Sequence, residues 1–310
     1  MRQTALLSAS VGIAVLLACA VALLAALASA PAASAASREH GASFAVRCDF
    51  SHRASDDPIV HFGEPGAAHS HDFLGNTSTK FDSTYQSMIA APTTCSRPED
   101  TAGYWIPTVS WKDQQGTHIL TSNRAVFYYR AGDKDYRTVQ PFAKDLRIIA
   151  DKNINGGRIR WYCGTGDDKS GSPDPPTQCS GGVLGMKIIF PDCVAKDPTS
   201  GGQQLDSADH KSHMARSKPQ SDGTRKCSDP SYPIPVPTLT INANFPMPTT
   251  QGQVALSSDE PSDPPGSTMH SDFWNTWNQA ELERLVTQCI NNVPPTDPRP
   301  TECRAPTATA

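Results

Sequence analysis

The sequence has few of the patterns that mark nucleic-acid-binding or membrane-embedded proteins. Its 310 residues carry 27 basic and 31 acidic side chains, for a formal net charge of −4, with no run of lysine or arginine. A basic patch that binds nucleic acid is therefore not expected. Beyond the N-terminus, no apolar stretch is long enough to cross a bilayer, which excludes a protein with several membrane spans.

Familiar catalytic signatures are also missing. The chain contains no G-x-S-x-G elbow, no P-loop, no dinucleotide fingerprint and no H-E-x-x-H motif. No two cysteines form a C-x-x-C pair, which argues against a zinc–cysteine centre. Any functional site must therefore be assembled from residues that lie far apart in the sequence.

The N-terminus has the pattern of a secretory signal. Arg2 precedes an uncharged apolar run that extends to about residue 30, and residues 28–36 offer several Ala-x-Ala cleavage sites. We predict cleavage after Ala35 and a secreted, extracellular protein. The main alternative is an uncleaved membrane anchor, because a run of about 20 apolar residues can span a bilayer. Leu16–Cys19 faintly resembles a lipoprotein cleavage box, but apolar sequence continues past it.

Eight of the nine cysteines follow this segment, and an even number in an exported chain predicts disulfide bonds. Many pairings are possible, and pairing of near neighbours is the default. It gives Cys48–Cys95, Cys163–Cys179, Cys193–Cys227 and Cys289–Cys303.

Short runs rich in β-branched and aromatic residues, separated by proline-rich loops, predict a mainly β fold. A helical spacing of apolar residues over 275–290 predicts one helix, with Asp272 or Asn275 as its N-cap. We expect a sandwich-like core with one C-terminal α-helix, and an α+β fold is the alternative. The expected organisation is a signal or anchor over 1–35, a flexible N-terminus over 36–47, one disulfide-bonded domain over 48–291 and a tail over 292–310, partly tethered through Cys303.

Three short motifs hold five of the nine histidines, and each places a histidine close to an aspartate. They are Gly66–Asn76 with His69, His71 and Asp72, Leu205–Met214 with Asp209, His210 and His213, and Met269–Trp277 with His270 and Asp272. In an extended segment His69 and His71 point to the same side, and in a helical turn His210 and His213 share a face. A neutral histidine needs a partner that fixes its tautomer, so the recurrence indicates one shared site.

Two kinds of chemistry fit such a site. In the first, His71 or His270 is the general base or acid, and Asp72 and Asp272 orient it. In the second, an aspartate and histidines bind a metal ion, for which imidazole favours zinc or copper. The candidate metal ligands are His69, His71, His210, His213 and His270. The candidates for a substrate-binding surface are Tyr104, Trp105 and Trp274, whose alternative role is core packing.

The motifs resemble those of a known family. Asp57–Val60, Gly66–Asn76, Tyr104–Thr108, Asp209–Met214, Cys227–Pro237 and His270–Trp277 occur in an order that resembles the secreted domain of unknown function nineteen-ninety-six. The resemblance covers about Cys48 to Cys289, and it implies that all three histidine motifs belong to one domain. Some fungal members of that family carry WSC modules that are thought to bind carbohydrate, which hints at cell-wall glycans.

The leading hypothesis is an extracellular, carbohydrate-directed hydrolase or lyase. A glycosidase would need two carboxylates roughly 5 to 10 Å apart, and Asp72, Asp209 and Asp272 are the candidates. The alternatives are a histidine-rich protein that binds zinc or copper and a non-catalytic protein that binds the cell wall or a glycan. The expected partner is an extracellular polysaccharide, and the membrane is a partner only if the N-terminal segment is not cleaved.

Overall fold

The protein is described here by a computed structural model that covers residues 42–151, 158–165, 171–292 and 301–304. The expected signal segment over 1–35 lies outside the described residues. Within them, no helix is long and apolar enough to cross a membrane.

The secondary structure is mostly β, as the sequence predicted. The strands are β1 Ser43–Cys48, β2 Phe50–Ala54, β3 His71–Gly75, β4 Gly103–Pro107, β5 Val109–Asp113, β6 Gly116–Leu120, β7 Arg124–Arg130, β8 Arg147–Ala150, β9 Arg158–Cys163, β10 Val183–Ile189, β11 Cys193–Val194, β12 Met214–Ala215, β13 Lys218–Pro219, β14 Arg225–Lys226, β15 Ile234–Pro235, β16 Thr238–Pro246, β17 Gln253–Leu256 and β18 Ser271–Trp274. The α-helices are α1 Tyr85–Ile89 and α2 Gln279–Leu285, which continues as a π-helical turn over Val286–Asn291. Short 3-10 helices cover Tyr136–Thr138 and Thr301–Cys303.

Two five-stranded sheets form the expected sandwich. The first has the strand order β1-β7-β16-β10-β9, and the second, called the site sheet below, has the order β2-β3-β4-β18-β8. Tyr104 of the site sheet packs on Phe127 of the first sheet, with ring centroids 4.0 Å apart. Ile241 of the first sheet and Ile106 and Phe273 of the site sheet belong to the same buried cluster, so one face of each sheet enters a common core. The prediction of a sandwich-like core with a C-terminal helix is therefore confirmed.

A chain of buried polar groups crosses this core. Trp277 Nε1 donates to Tyr129 Oη at 3.0 Å, the hydroxyls of Tyr129 and Tyr104 are 2.5 Å apart, and Tyr104 Oη donates to Asp100 Oδ2 at 2.9 Å. Each of these polar groups is thereby paired, which removes most of the cost of burying it.

Four disulfide bonds join the near neighbours that the spacing favoured. They are Cys48–Cys95, Cys163–Cys179, Cys193–Cys227 and Cys289–Cys303. The last bond attaches Cys303 to the C-terminal helix. The four bonds fit an extracellular protein.

The C-terminal helix begins later than predicted. Residues 271–274 form β18, which pairs with β4 on one side and β8 on the other. The helix therefore starts at Gln279, and Asn278 caps it by accepting a hydrogen bond from the Glu281 amide. The expectation that Asp272 or Asn275 is the N-cap was wrong, because pairing within the site sheet takes precedence over the local capping pattern.

Candidate functional site

The site sheet brings the first and third histidine motifs together. His71 of β3 lies opposite Pro107 of β4, and Asp272 of β18 lies opposite Trp105, two residues away on the same strand. Because side chains alternate along a strand, His71 and Asp272 project from the same face of the sheet. This face points away from the sandwich core.

A small apolar cluster surrounds these polar residues on the outer face. It comprises Ile59, Phe73, Tyr85, Met88, Trp105, Ile149 and Trp274. Ile59 comes from the segment between β2 and β3, and Tyr85 and Met88 come from α1, so connecting segments cover the sheet here. The histidines and aspartates therefore lie in a shielded, largely apolar layer.

Three histidines converge in this layer. The ring centroids of His69 and His71 are 4.3 Å apart, those of His69 and His270 are 5.1 Å apart, and those of His71 and His270 are 5.7 Å apart. One ring nitrogen of each lies within 4.8 Å of a nitrogen of the other two. His71 is fully buried, whereas His69 and His270 are partly exposed. The group is thus open to solvent on one side.

Hydrogen bonds fix which nitrogen of two of these rings is available. Nδ1 of His71 is 2.9 Å from the carbonyl oxygen of Asp56, and Nδ1 of His270 is 2.9 Å from that of Thr268. A carbonyl only accepts, so each Nδ1 carries the proton and each Nε2 keeps its lone pair. Nε2 of His69 and of His71 is buried and has no hydrogen-bond partner within the described part of the chain.

Two aspartates complete the cluster. Asp272 is 1% exposed, and neither of its carboxylate oxygens has a hydrogen-bond partner among the described residues. Asp57 Oδ1 accepts from the amides of Ile59 and Val60 at 2.9 and 3.0 Å. One oxygen of each aspartate and a nitrogen of His71 lie within 4.8 Å of one another. A buried carboxylate without a partner is costly, which points to a proton or a cation as its missing counterpart.

Burial dominates the electrostatics of this cluster. It lowers the pKa of His69 to about 4, with further lowering by the charges of His270 and His61. It also lowers the pKa of His71 well below its usual value, and that of His270. The pKa of Asp272 is raised well above its usual value, first by burial and then by the Asp57 carboxylate. The three histidines are therefore neutral at pH 7, which is the form that binds metal.

The second motif contributes a cation rather than an imidazole. Lys211 Nζ lies 3.2 Å from Asp151 Oδ2, and its charge acts on both His270 and Asp272. His213 is 1% exposed, with Nε2 2.7 Å from the Arg147 carbonyl and Nδ1 3.0 Å from Ser207 Oγ. Both of its ring nitrogens are thus engaged with other groups.

His210 has different partners again. Its Nδ1 lies 3.0 Å from each carboxylate oxygen of Asp206, and its backbone is in the left-handed region with φ of 57°. Asp209 accepts from the amides of Lys211 and Ser212, as in a tight turn. Neither His210 nor His213 belongs to the group of converging nitrogens found among the described residues.

Asp72 lies on the opposite face of β3 from His71. Arg53 donates to both of its carboxylate oxygens, and Thr108 Oγ1 donates to Oδ1 at 2.8 Å. Thr108 is also bonded to Ser70, which separates the two histidines of the first motif. Asp72 therefore anchors the strand that carries His71, and its oxygens are bonded to Arg53 and Thr108.

The aromatic candidates are buried. Tyr104, Trp105 and Trp274 are each 0% exposed. Tyr104 lies in the sandwich core, and the two tryptophans lie in the outer apolar cluster. In this arrangement none of the three presents an exposed ring to a sugar.

Sequence reasoning did not single out Asp57 or Lys211 as site residues. Asp57 falls in a segment that contributed to the family resemblance, and this resemblance was the feature of the sequence that could have identified it as a site residue. Lys211 lies inside the second histidine motif, from which the sequence pattern predicted only the histidines and Asp209 as site residues. Both residues depend on how distant segments cover the site sheet, which no local pattern encodes.

The fold and the site define a disulfide-bonded β-sandwich whose outer sheet face holds a histidine–aspartate cluster. The chain belongs to the family described as "Domain of unknown function (DUF1996)", whose profile matches residues 57–277. This range contains every residue of the cluster, from Asp57 to Asp272. No curated protein and no solved structure gave a significant match to the chain.

Proposed function

We propose that this domain is a secreted protein that binds one zinc or copper ion through His69, His71 and His270. The observation that carries the proposal is the convergence of three neutral imidazoles beside a buried carboxylate that has no partner in the described structure. Imidazole is a preferred ligand of both metals, and a set of three histidines is a known zinc arrangement.

The surroundings of the imidazoles support this assignment. Metal-bound histidines usually donate their second ring nitrogen to a carbonyl or carboxylate, as His71 and His270 do here. Asp272, whose Oδ2 lies 3.9 Å from His270 Nε2, supplies a negative charge that a cation would balance. It would serve as a further ligand or as an acceptor for a metal-bound water.

The partial exposure of His69 and His270 leaves one side of the group open. An open position distinguishes catalytic metal sites from closed structural ones. A bound zinc ion would lower the pKa of a water molecule at that position and supply a nucleophile near neutral pH. We therefore favour a hydrolytic role, with an extracellular carbohydrate as the substrate class and Asp57 and Asp272 as the acid–base groups.

The test is the metal content of the purified protein, measured by elemental analysis. We expect about one equivalent of zinc or copper in the natural protein and loss of the metal in a His71→Ala His270→Ala double variant. His118→Ala is the matched control, because His118 is a partly exposed histidine that also lies beside a carboxylate, that of Asp113. If the natural protein holds no metal and takes up none from added zinc or copper salts, the proposal fails.

A second candidate is acid–base hydrolysis of a glycoside without a metal. It is favoured by the closeness of the Asp57 and Asp272 carboxylates, which lie within 4.8 Å. Two carboxylates at such a distance, one of them protonated, resemble the pair of a retaining glycosidase, where the separation is about 5 Å. Asp72 and Asp209 do not take part. Asp72 is bonded to Arg53, and Asp209 accepts hydrogen bonds from the backbone of a surface turn. Hydrolysis of a polysaccharide that persists after complete removal of metal would favour this candidate.

A further inference from the structure

A groove lies beside the histidine–aspartate cluster on the same sheet face. Its volume is about 430 Å³, which is in the range of ligand-binding pockets. Trp274 lines it and shares β18 with Asp272, two residues away on the same face. Phe62 also lines it and directly follows His61, whose charge acts on His69. The groove is therefore adjacent to the cluster.

The lining combines aromatic rings with polar side chains. Phe62 is 59% exposed, so its ring is accessible to a ligand in the groove. The lining also includes the buried side chains of Tyr85 and Trp274 and the polar side chains of Ser83, Thr84 and Gln86, so Phe62 supplies the exposed ring. An aromatic face next to hydrogen-bonding groups suits a sugar ring, which has an apolar face and a hydroxylated rim.

The groove also carries two cations held over aromatic rings. Lys144 Nζ lies 4.7 Å from the centroid of Tyr85, and the Arg147 guanidinium lies 4.4 Å from that of Trp274. Asp145 is the carboxylate of the lining; it accepts from Trp274 Nε1 at 2.6 Å and lies 3.7 Å from Arg147. Lys144 has no carboxylate partner among the described residues. Arg147 also pairs with a second carboxylate, that of Asp206, at 3.3 Å. The Lys144 ammonium is thus the cation of the lining that is available to a ligand.

We infer that this groove binds a carboxylate-bearing sugar unit, a uronate, of the polysaccharide chain on which the site acts. Lys144 pairs with the carboxylate, and Phe62 packs against the sugar face. The inference deepens the proposed function and rests on it for the assignment of the bound sugar as a substrate. Binding in the groove itself uses none of the proposed metal ligands.

The test is isothermal titration calorimetry with trimers of galacturonate, glucuronate and mannuronate, beside neutral trimers of the corresponding hexoses. Each titration is run on metal-loaded protein and on protein stripped of metal by a chelator that is then removed. We expect at least one uronate trimer to bind in both forms, at least tenfold more tightly than its neutral counterpart. Binding should weaken with added salt, because the pairing with Lys144 is electrostatic.

Lys144→Gln should weaken uronate binding about tenfold, the loss expected for one ionic contact, and should leave the metal content unchanged. Lys80→Gln is the matched control, because Lys80 also stacks on an aromatic ring, that of Phe81, and lies outside the groove. Phe62→Ala should weaken binding as well, and its exposure makes misfolding no concern.

The outcomes separate the two proposals. If no uronate trimer binds, or if neutral trimers bind equally well, the inference about the groove is overturned even when the metal is present. If the uronate binds to metal-stripped protein that never takes up a metal, the groove is supported and the metal proposal fails. Unchanged binding by Lys144→Gln also overturns the assignment.

Discussion

The guanidinium of Arg53 donates two hydrogen bonds to the carboxylate of Asp72, from Nε to Oδ1 at 2.5 Å and from Nη2 to Oδ2 at 2.8 Å. Asp72 is 1% exposed, so the pair is shielded from water on one side. The pair joins β2 to β3 at Asp72, the residue that follows His71 in β3. The aspartate of the first histidine motif thus fixes the position of His71 through the backbone of β3.

Removal of Arg53 should therefore destabilise the domain. Arg53→Met leaves a buried, unpaired carboxylate and should lower the free energy of unfolding by about 3 kcal/mol, measured by urea denaturation. Arg137→Met is the matched control, because Arg137 makes a similar bidentate pair with Asp135 but is 71% exposed. That change should cost less than about 1 kcal/mol. Equal losses in the two variants would contradict the role given to Asp72.

The same variant should also report on the site. If Arg53 and Asp72 fix the strand that carries His71, metal affinity should fall in Arg53→Met even where the protein is still folded. Arg53→Lys keeps the charge but loses the bidentate geometry, so it should recover stability and affinity only in part. Metal affinity that is unchanged in a folded Arg53→Met protein would mean that the pair matters for stability alone.

A bound metal should raise the thermal stability of the domain. A ligand that binds only the folded state stabilises it by mass action, and at a concentration of about 100 times Kd the gain is about 2.7 kcal/mol. We expect a melting temperature about 5 °C or more above that of chelator-treated protein. The difference should vanish in His71→Ala His270→Ala and persist in His118→Ala. A chelator effect of equal size in the double variant would place the metal elsewhere.

Stability should depend on pH through Asp100. Burial raises the pKa of this carboxyl group to about 8, against a usual value near 4 in the unfolded chain. Between these values the folded state binds a proton that the unfolded state has released. The contribution of this group is therefore full below about pH 4 and is lost as pH rises through about 8. Asp100→Asn should remove it, and the stability difference between variant and natural protein should shift in favour of the variant as pH rises. A difference that is constant from pH 4 to 8 would contradict the raised pKa.

The buried pair of Lys134 and Asp192 gives a prediction that is independent of the site. Lys134 is 2% and Asp192 0% exposed, with Nζ 2.6 Å from Oδ2. Lys134→Met leaves the Asp192 charge without its cation and should cost about 3–5 kcal/mol. Adding Asp192→Asn should recover part of this loss, because the pair is then replaced by neutral groups. Urea denaturation of the two single variants and of the double variant forms a double-mutant cycle. Additive losses of stability would contradict a direct interaction between the two side chains.

Much of this architecture follows from local pattern. The β-branched and aromatic runs that predicted a mainly β fold include 124–130, 158–162 and 238–241. These runs lie in β7, β9 and β16, because alternation and β-branched composition are properties of single segments. The disulfide pairing of near neighbours was also confirmed. His69, His71 and His270 were chosen from their motifs, and the structure does bring their rings together, although their role remains a prediction.

The rest depends on contacts between distant segments. Asp57 joins the cluster because the segment after β2 folds over the site sheet. His213 is engaged elsewhere because the carbonyl of Arg147 lies 2.7 Å from its Nε2. The groove exists because β8 lies next to β18, which sets Arg147 beside Trp274. The order of the strands in a sheet is not determined by the residues of any one strand, so the sequence pattern did not predict these features.

The central position of β18 has a consequence for how the site comes into being. This strand fills the gap between β4 and β8, carries Asp272 and begins directly after His270. It is also the final strand of the described chain, some 200 residues after His71. While the chain is being synthesised, and before residue 274 has left the ribosome, the site sheet lacks β18. The histidines of the cluster that are then available are His69 and His71. If the cluster binds a metal as proposed, it can therefore take up the ion only after nearly the whole domain has emerged and folded.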